Sequence, residues 1–161
     1  MKMNKDEIGE LWDKVTPKLY GYLINTLKDK TLADDILQST WVKAIEALPK
    51  FENRGHGLNA WIFSIARNEM KMHWRKGGRE VSFDENLHDV YKDDRENRDN
   101  KIFLEQTISK LTEEDQELIR LRYIADLSFL EIAKLFNSSE VSVRVKMHRA
   151  ISHARLILNT Q

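Results

Sequence analysis

Residues 128–158, SFLEIAKLFNSSEVSVRVKMHRAISHARLIL, contain two helical patterns separated by a short polar segment. Ser128 and Glu131 have the spacing of a capping box, which predicts that a short helix begins at this point. Asn137 suits the left-handed backbone conformation that a tight turn between helices commonly needs. A longer helix is predicted over residues 140–158, so the whole stretch is typical of a helix-turn-helix unit.

The longer helix has two distinct faces when its side chains are projected down the helix axis. Apolar residues share one face and are expected to pack inward: Val143, Met147, Ala150, Ile151, Ala154 and Leu158. The residues opposite and at the flanks are the candidate contacts to duplex DNA: Ser142, Arg144, Val145, Lys146, His148 and Arg149. Small polar and basic side chains, with no acid after Glu140, can enter a groove lined by phosphates. Arg144 and Arg149 suit guanine edges, and Val145 suits a thymine methyl group. A basic surface helix within a bundle is the alternative interpretation.

Three earlier helices are predicted from apolar side chains that recur every three or four residues. They cover residues 5–29, 32–48 and 58–76. Pro17 predicts either a kink in the first helix or the start of a separate one. Pro49 ends the second helix, and the glycines and asparagine of residues 51–57, FENRGHG, indicate a loop.

The helix predicted over residues 58–76 carries a basic ridge, because Arg67, Lys71 and Arg75 recur at four-residue spacing. Polar and aromatic side chains beside cations suit single-stranded DNA, whose bases stack and whose phosphates are neutralised. A solvated basic face is an equally good interpretation of this ridge taken alone. Met72 is expected to point inward, and Glu69 also falls within the apolar face, which periodicity does not explain.

The helix predicted over residues 32–48 has an outward face of different character. Polar and acidic residues surround one apolar side chain there: Asp35, Gln38, Ser39, Val42 and Glu46. Such a face fits a protein-docking patch, and it fits an ordinary surface equally well because single exposed apolar residues are common.

The composition excludes several classes of protein. Two prolines and six glycines among 161 residues favour an all-α fold, and the absence of cysteine excludes disulfides and thiolate metal sites. There is no apolar run of about 18 residues and no apolar stretch near the N-terminus, so we expect a cytoplasmic protein without membrane insertion. No glycine-rich phosphate loop and no HExxH motif are present, so we expect neither an enzyme nor a bound cofactor or metal.

The net charge of zero conceals three segments of different charge. Residues 1–80 carry 14 basic and 11 acidic residues, 81–117 carry 5 and 12, and 118–161 carry 7 and 3. Two basic units flanking an acidic middle suggest nucleic acid at the units and a solvated linker between them, with ordinary charge scatter as the alternative.

Three segments, in order along the chain, resemble the extracytoplasmic-function sigma factors, the minimal group of the sigma-70 family. They are ADDILQSTWVKAIEAL at 33–48, NAWIFSIARNEMKMHWRK at 59–76 and LSFLEIAKLFNSSEVSVRVKMHRAISHAR at 127–155. The first two resemble region two of that family and the third resembles region four. The resemblance implies two small helical domains, at residues 1–79 and 102–161, joined by a flexible acidic linker at 80–101.

The resemblance also implies roles for individual residues in a non-enzymatic subunit of RNA polymerase that recognises promoters and promotes melting. Region two would bind a coiled coil of the largest polymerase subunit through Asp34, Asp35, Gln38, Trp41 and Val42. It would hold the single-stranded minus-ten element through Phe51, Asn53, Arg54, Gly55, Trp61, Arg67, Asn68, Lys71 and Arg75. Region four would read the minus-thirty-five element as duplex and contact the flap of the second-largest subunit. An anti-sigma factor is a further implied partner.

The sequence departs from the family at the turn and in the second helix. Asn137, Ser138 and Ser139 stand where the family commonly has glycine, a hydrophobic residue and proline. Val141 replaces a common glycine, and Val145 replaces a common serine that faces DNA. The fold should survive these changes, but base preference stays open. The alternatives are a stand-alone helix-turn-helix regulator that binds duplex without polymerase, and a helical interaction or sequestration protein without a DNA role.

Overall fold

The computed structural model describes residues 1–53, 57–77 and 95–160, and within these ranges all regular structure is helical, which confirms the all-α prediction. The α-helices are α1 (Lys5–Leu27), α2 (Lys30–Ala47), α3 (Gly57–Gly77), α4 (Arg95–Ser109), α5 (Glu113–Ile119), α6 (Phe129–Leu135) and α7 (Glu140–Asn159). A 3₁₀ turn at Leu48–Lys50 follows α2, and a π-helical turn at Arg120–Ile124 follows α5.

Helix α1 is continuous through Pro17, so the predicted start of a separate helix at this residue is wrong. The helix begins at a capping box in which the Asn4 side chain accepts from the Glu7 N–H. Val15 and Leu19, on either side of the proline, are both buried in the core. Packing on both sides therefore holds the helix together where proline removes one backbone hydrogen bond.

Helices α1, α2 and α3 form a three-helix bundle. The Asp29 side chain caps α2 by accepting from the Leu32 N–H. The bundle core contains Leu23, Ala33 and Ile62, each fully buried. Apolar side chains at helical spacing thus form the core of this bundle.

The C-terminal helices confirm the predicted helix-turn-helix. Ser128 and Glu131 form a capping box at the start of α6, with hydrogen bonds of 3.1 and 2.7 Å. Asn137 adopts a left-handed conformation with φ of 50°, and the Ser139 side chain caps α7 by accepting from the Ser142 N–H. The Thr112 side chain caps α5 by accepting from the Asp115 N–H.

The N-terminal bundle and the helix-turn-helix pack against each other. Leu19 and Phe63 from the bundle share one continuous hydrophobic core with Leu121 and Ile132 from the C-terminal half. Contacts between α1 and the π-helical turn, and between α3 and α6, form this junction. Surfaces of α3 that the sequence alone assigns to solvent therefore meet α6.

Helix α4 begins at Arg95, inside the stretch that the sequence predicts as linker. Apolar periodicity returns only at Ile102, so the first turns of this helix are polar and carry no sequence signal of burial. The rest of the predicted linker, residues 80–94, lies outside the described residues. The division into two domains stays a prediction.

Candidate nucleic-acid interface

Helix α7 presents the predicted polar and basic face to solvent. Val143, Met147 and Ala150 are buried on the inward face, as the sequence predicts. The candidate duplex contacts Arg144, Val145, Lys146, His148 and Arg149 are all exposed, and Ser142 is half-buried. The face lies on a helix capped at its N-terminus and follows a tight turn, which is the arrangement that presents a helix to the major groove.

Two of the cations on this face have acidic partners. Arg144 Nη2 lies 2.9 Å from Glu140 Oε1 on the same helix, and Lys146 Nζ lies 2.9 Å from Glu114 Oε1 of α5. All four side chains are largely exposed. Exposed ion pairs contribute only about 0.2–1 kcal/mol, so phosphate groups can readily take the place of these carboxylates.

Phe129 and Arg122 contribute to this face although sequence reasoning did not single them out. The guanidinium carbon of Arg144 lies 4.5 Å from the centroid of the Phe129 ring, and that of Arg122 lies 4.9 Å from it. Arg122 also donates from Nη1 to the Leu127 carbonyl oxygen at 3.0 Å. Only the tertiary structure brings the π-helical turn beside α6, so spacing along the chain gives no signal of this cluster.

The predicted basic ridge on α3 is divided in the structure. Asn68, Lys71 and Arg75 are exposed. Arg67 is instead held by the C-terminal half: its Nε donates to Glu117 Oε1 at 3.1 Å, and its guanidinium lies 4.6 Å from the Phe136 ring centroid. The prediction that all three cations share one solvent-facing ridge is therefore wrong for Arg67, because α6 packs on α3.

Glu117 is the centre of a nearly buried polar cluster at the junction of the two halves. Its carboxylate accepts from the Tyr22 hydroxyl as well as from Arg67. Burial, reinforced by the Glu117 carboxylate, raises the pKa of Tyr22 well above its ordinary value of 10.0. Burial likewise lowers the pKa of the neighbouring Arg120 from its ordinary value. The hydroxyl of Tyr22 therefore stays protonated and serves as a hydrogen-bond donor.

The loop after α2 borders a cavity of about 480 Å³. The Phe51 and Trp61 rings, with centroids 4.7 Å apart, line this cavity together with Lys134 and Leu135 of α6. Asn53 is exposed. Arg54 and Gly55 lie outside the described residues. Two of the predicted strand contacts, Phe51 and Trp61, are thus brought together next to a cation.

The α2 residues to which the family resemblance gives a polymerase contact are not all exposed. Asp35, Gln38 and Val42 are exposed and Asp34 is half-buried, but Trp41 is buried. The Trp41 ring packs on Trp12 with centroids 4.7 Å apart, so its predicted contact with a partner protein is wrong for this conformation. Trp41 lies on the buried side of α2 with Thr40 and Ala44, and Trp12 of α1 packs on its ring there. Ile45, which is exposed one turn from Val42, extends the apolar part of this face instead.

Glu69 and Met72, two residues of the predicted inward face of α3, take different positions. Glu69 pairs with Lys43 of α2, which explains an acid among apolar neighbours. Met72 is exposed, so its predicted inward position is wrong. Met72 lies on the exposed side of α3 together with Asn68, Lys71 and Arg75.

The described residues contain no group of three or more His, Asp or Glu side chains placed to hold a metal ion. None of the helices in the described ranges combines the length and the apolar character needed to cross a membrane.

Known families match both halves of the chain. Residues 11–80 match the family described as Sigma-70 region 2, and residues 104–153 match Sigma-70, region 4. Two curated relatives are similar over 94% of the chain. The extracytoplasmic-function (ECF) RNA polymerase sigma factor BldN of Streptomyces coelicolor is 27% identical, and the chain spans 61% of its length. The ECF RNA polymerase sigma factor SigM of Bacillus subtilis is 24% identical, and the chain spans 95% of its length.

Two solved structures share the fold. CnrH, in complex with the cytosolic domain of CnrY, superposes with a TM-score of 0.72 at 24% identity over 98% of this chain and 91% of its own. The sigma factor RpoE of Bartonella quintana, in complex with the anti-sigma factor NepR, gives a TM-score of 0.71 at 24% identity over 97% of this chain and 98% of its own. The arrangement of helices described above is therefore one that solved proteins adopt.

Proposed function

This chain belongs to the extracytoplasmic-function group of the sigma-70 family, and on that basis we propose a division of labour between its two halves during transcription initiation. As a sigma factor it joins core RNA polymerase and directs it to promoters. The C-terminal half reads duplex DNA, and the N-terminal half captures the opened strand. The chain itself catalyses no reaction, and it acts in the bacterial cytoplasm, where polymerase and chromosome are found.

The exposed face of α7 carries the proposal for duplex reading. Arg144, Val145 and Arg149 are exposed on one capped helix whose opposite face is buried in the core. Arginine can make bidentate hydrogen bonds to guanine, and valine can contact a thymine methyl group. Lys146 and His148 extend this face toward the phosphates. We assign the minus-thirty-five element to this surface.

Strand capture is proposed for the cavity beside Phe51 and for the exposed part of α3. Phe51 and Trp61 offer aromatic surfaces on which an unstacked base can pack. The captured strand then runs along α3, where polar and cationic side chains face its bases and phosphates: Asn68, Lys71 and Arg75. Capture of one base offsets the cost of unstacking, which is about a few kcal/mol, and so promotes melting.

Arg67 joins this surface only after the two halves separate. Its guanidinium is engaged by Glu117 and by the Phe136 ring, so a DNA strand must compete with both. Lys134 of α6 also borders the cavity beside Phe51. We therefore assign the closed arrangement to the free protein and an open one to the polymerase-bound protein.

The α2 face formed by Asp35, Gln38, Val42 and Ile45 is the proposed contact with the coiled coil of the largest polymerase subunit. Two exposed apolar side chains one turn apart, surrounded by polar groups, suit a groove on another helical protein. The helix-turn-helix half is proposed to contact the flap of the second-largest subunit. An anti-sigma factor is a further proposed partner, since RpoE was solved with the anti-sigma factor NepR bound.

Run-off transcription with purified core polymerase tests this function. We expect that adding the chain yields transcripts with defined start sites, and that the chain alone binds promoter duplex weakly. Tight duplex binding without polymerase, with no gain in start-site selection, would instead support a stand-alone helix-turn-helix regulator. Failure to bind either core polymerase or DNA would support a helical interaction protein.

A further inference from the structure

We propose that Phe129 is a positioning residue that orients Arg144 for reading a base edge in the upstream promoter duplex. The proposal rests on the proposed function of α7 as the duplex-reading helix. It concerns how one arginine of that helix is held before DNA binds.

Arg144 is restrained by two contacts that involve different groups. Its guanidinium carbon lies 4.5 Å from the centroid of the Phe129 ring, and its Nη2 donates to Glu140 Oε1 at 2.9 Å. An arginine side chain is long and flexible, so two contacts together restrict it far more than either alone. The side chain is still 58% exposed, so its remaining N–H donors are open to a ligand.

The same ring also holds a second cation. The guanidinium carbon of Arg122 lies 4.9 Å from the Phe129 centroid, and Arg122 is anchored by its hydrogen bond to the Leu127 carbonyl oxygen. Two guanidinium groups near one point repel each other, and the electron-rich face of an aromatic ring reduces that cost. A surface that gathers two positive charges in this way is suited to the phosphate-rich surface of duplex DNA.

The position of the ring is set independently of DNA. Phe129 is the first residue of α6, directly after the Ser128 cap, and its half-buried ring packs against the hydrophobic core. A guanidinium stacked on a fixed ring keeps the N–H groups at its edge free for the bidentate geometry that guanine O6 and N7 require. A side chain ordered in advance also loses less conformational entropy when it binds.

The test uses the full-length chain with core polymerase and a library of promoter duplexes randomised across the upstream element. The variants are Phe129→Leu, Phe129→Tyr and Arg144→Ala, with Phe103→Leu as the matched control. Phe103 is an exposed aromatic residue on α4, so its change removes a ring of the same size outside the cluster of Phe129, Arg122 and Arg144. The readout is the ratio of affinities between bases at each position, which does not depend on the fraction of a variant that is folded.

We expect R144A to abolish base preference at one position of the upstream element. Phe129→Leu should lower preference at that same position by about two- to fivefold, which corresponds to the loss of one exposed cation–π contact. Phe129→Tyr should restore the preference because it keeps the ring, and F103L should leave every position unchanged.

Two results would overturn the positioning role while leaving duplex reading by α7 in place. In the first, F129L keeps full preference at the position that R144A affects. In the second, F129L weakens affinity equally for every sequence, which is the outcome of a purely structural role. If R144A changes base preference at no position, Arg144 does not read DNA, and both this proposal and that part of the proposed function fail.

Discussion

The ion pair between Glu117 and Arg67 provides the sharpest test of the closed arrangement, through the substitution Glu117→Gln. Glutamine keeps an oxygen that can accept from Arg67 and from the Tyr22 hydroxyl but removes the negative charge. The side chains of Arg67 and Glu117 are only 15% and 17% exposed, so the change removes the paired carboxylate from a poorly solvated guanidinium. We expect the free energy of unfolding to fall by about 1–3 kcal/mol, between the values for exposed and fully buried pairs.

The same change should also release Arg67 for its proposed contact with a DNA strand. Destabilising the closed arrangement by about 1.4 kcal/mol relative to the open one corresponds to a tenfold gain in affinity for the strand. E117Q should therefore bind a single-stranded oligonucleotide about tenfold more tightly. The measurements are urea-induced unfolding and fluorescence anisotropy with a labelled oligonucleotide, both on the full-length chain. Glu114→Gln is the matched control, because Glu114 lies on the same helix but pairs with Lys146 at an exposed position. Its effect on unfolding should stay below about 0.5 kcal/mol.

Two outcomes would refute this reasoning. If E117Q unfolds at the same urea concentration as E114Q, the Glu117 carboxylate does not stabilise the junction between the halves. If E117Q loses stability but gains no affinity for the single strand, Arg67 is not a strand contact. A double-mutant cycle with Arg67→Lys separates the coupling of the two side chains from their individual contributions.

Further predictions concern DNA binding, pH and partner docking. Arg149→Ala should weaken recognition of the upstream duplex, whereas Asn68→Ala should impair promoter opening with duplex recognition largely intact. With polymerase holoenzyme, footprinting measures duplex recognition and permanganate reactivity measures opening. Equal loss of both steps in both variants would contradict the division of labour. The free energy of unfolding should fall as the pH rises above about 10, because Tyr22 can ionise in the unfolded chain but stays protonated in the folded one. Tyr22→Phe should reduce this pH dependence in denaturation measured from about pH 9 to 11. An unchanged slope of unfolding free energy against pH would show that Tyr22 is not its source. Val42→Glu should weaken binding to core polymerase by about tenfold or more without changing the unfolding midpoint. The reason is that it puts a charge at an exposed position that the proposed polymerase contact buries. Size-exclusion chromatography with core polymerase measures the binding, and unaltered co-elution would place the docking surface elsewhere.

Local interactions determined which features of this protein could be predicted from its sequence. The capping box of Ser128 and Glu131, the left-handed turn at Asn137 and the inward face of α7 all depend on residues within a few positions of one another. The side-chain types and spacings that produce these features are therefore readable along the chain. The exposed face of α7 follows from the same periodicity, once its inward face is known.

Contacts between segments that are distant in sequence decided which of the predicted surface side chains are covered. Arg67 is engaged rather than free because α6 packs on α3, and Trp41 is covered because α1 brings Trp12 over it. Phe129 gathers Arg122 and Arg144 because the π-helical turn, α6 and α7 meet at one ring. Helical periodicity states which side of a helix is apolar, but it does not state which other helix covers that side. By itself, the sequence determined most of the helices, the Ser128 cap and the basic character of two surfaces, and the tertiary packing decided which of those cations are available to DNA.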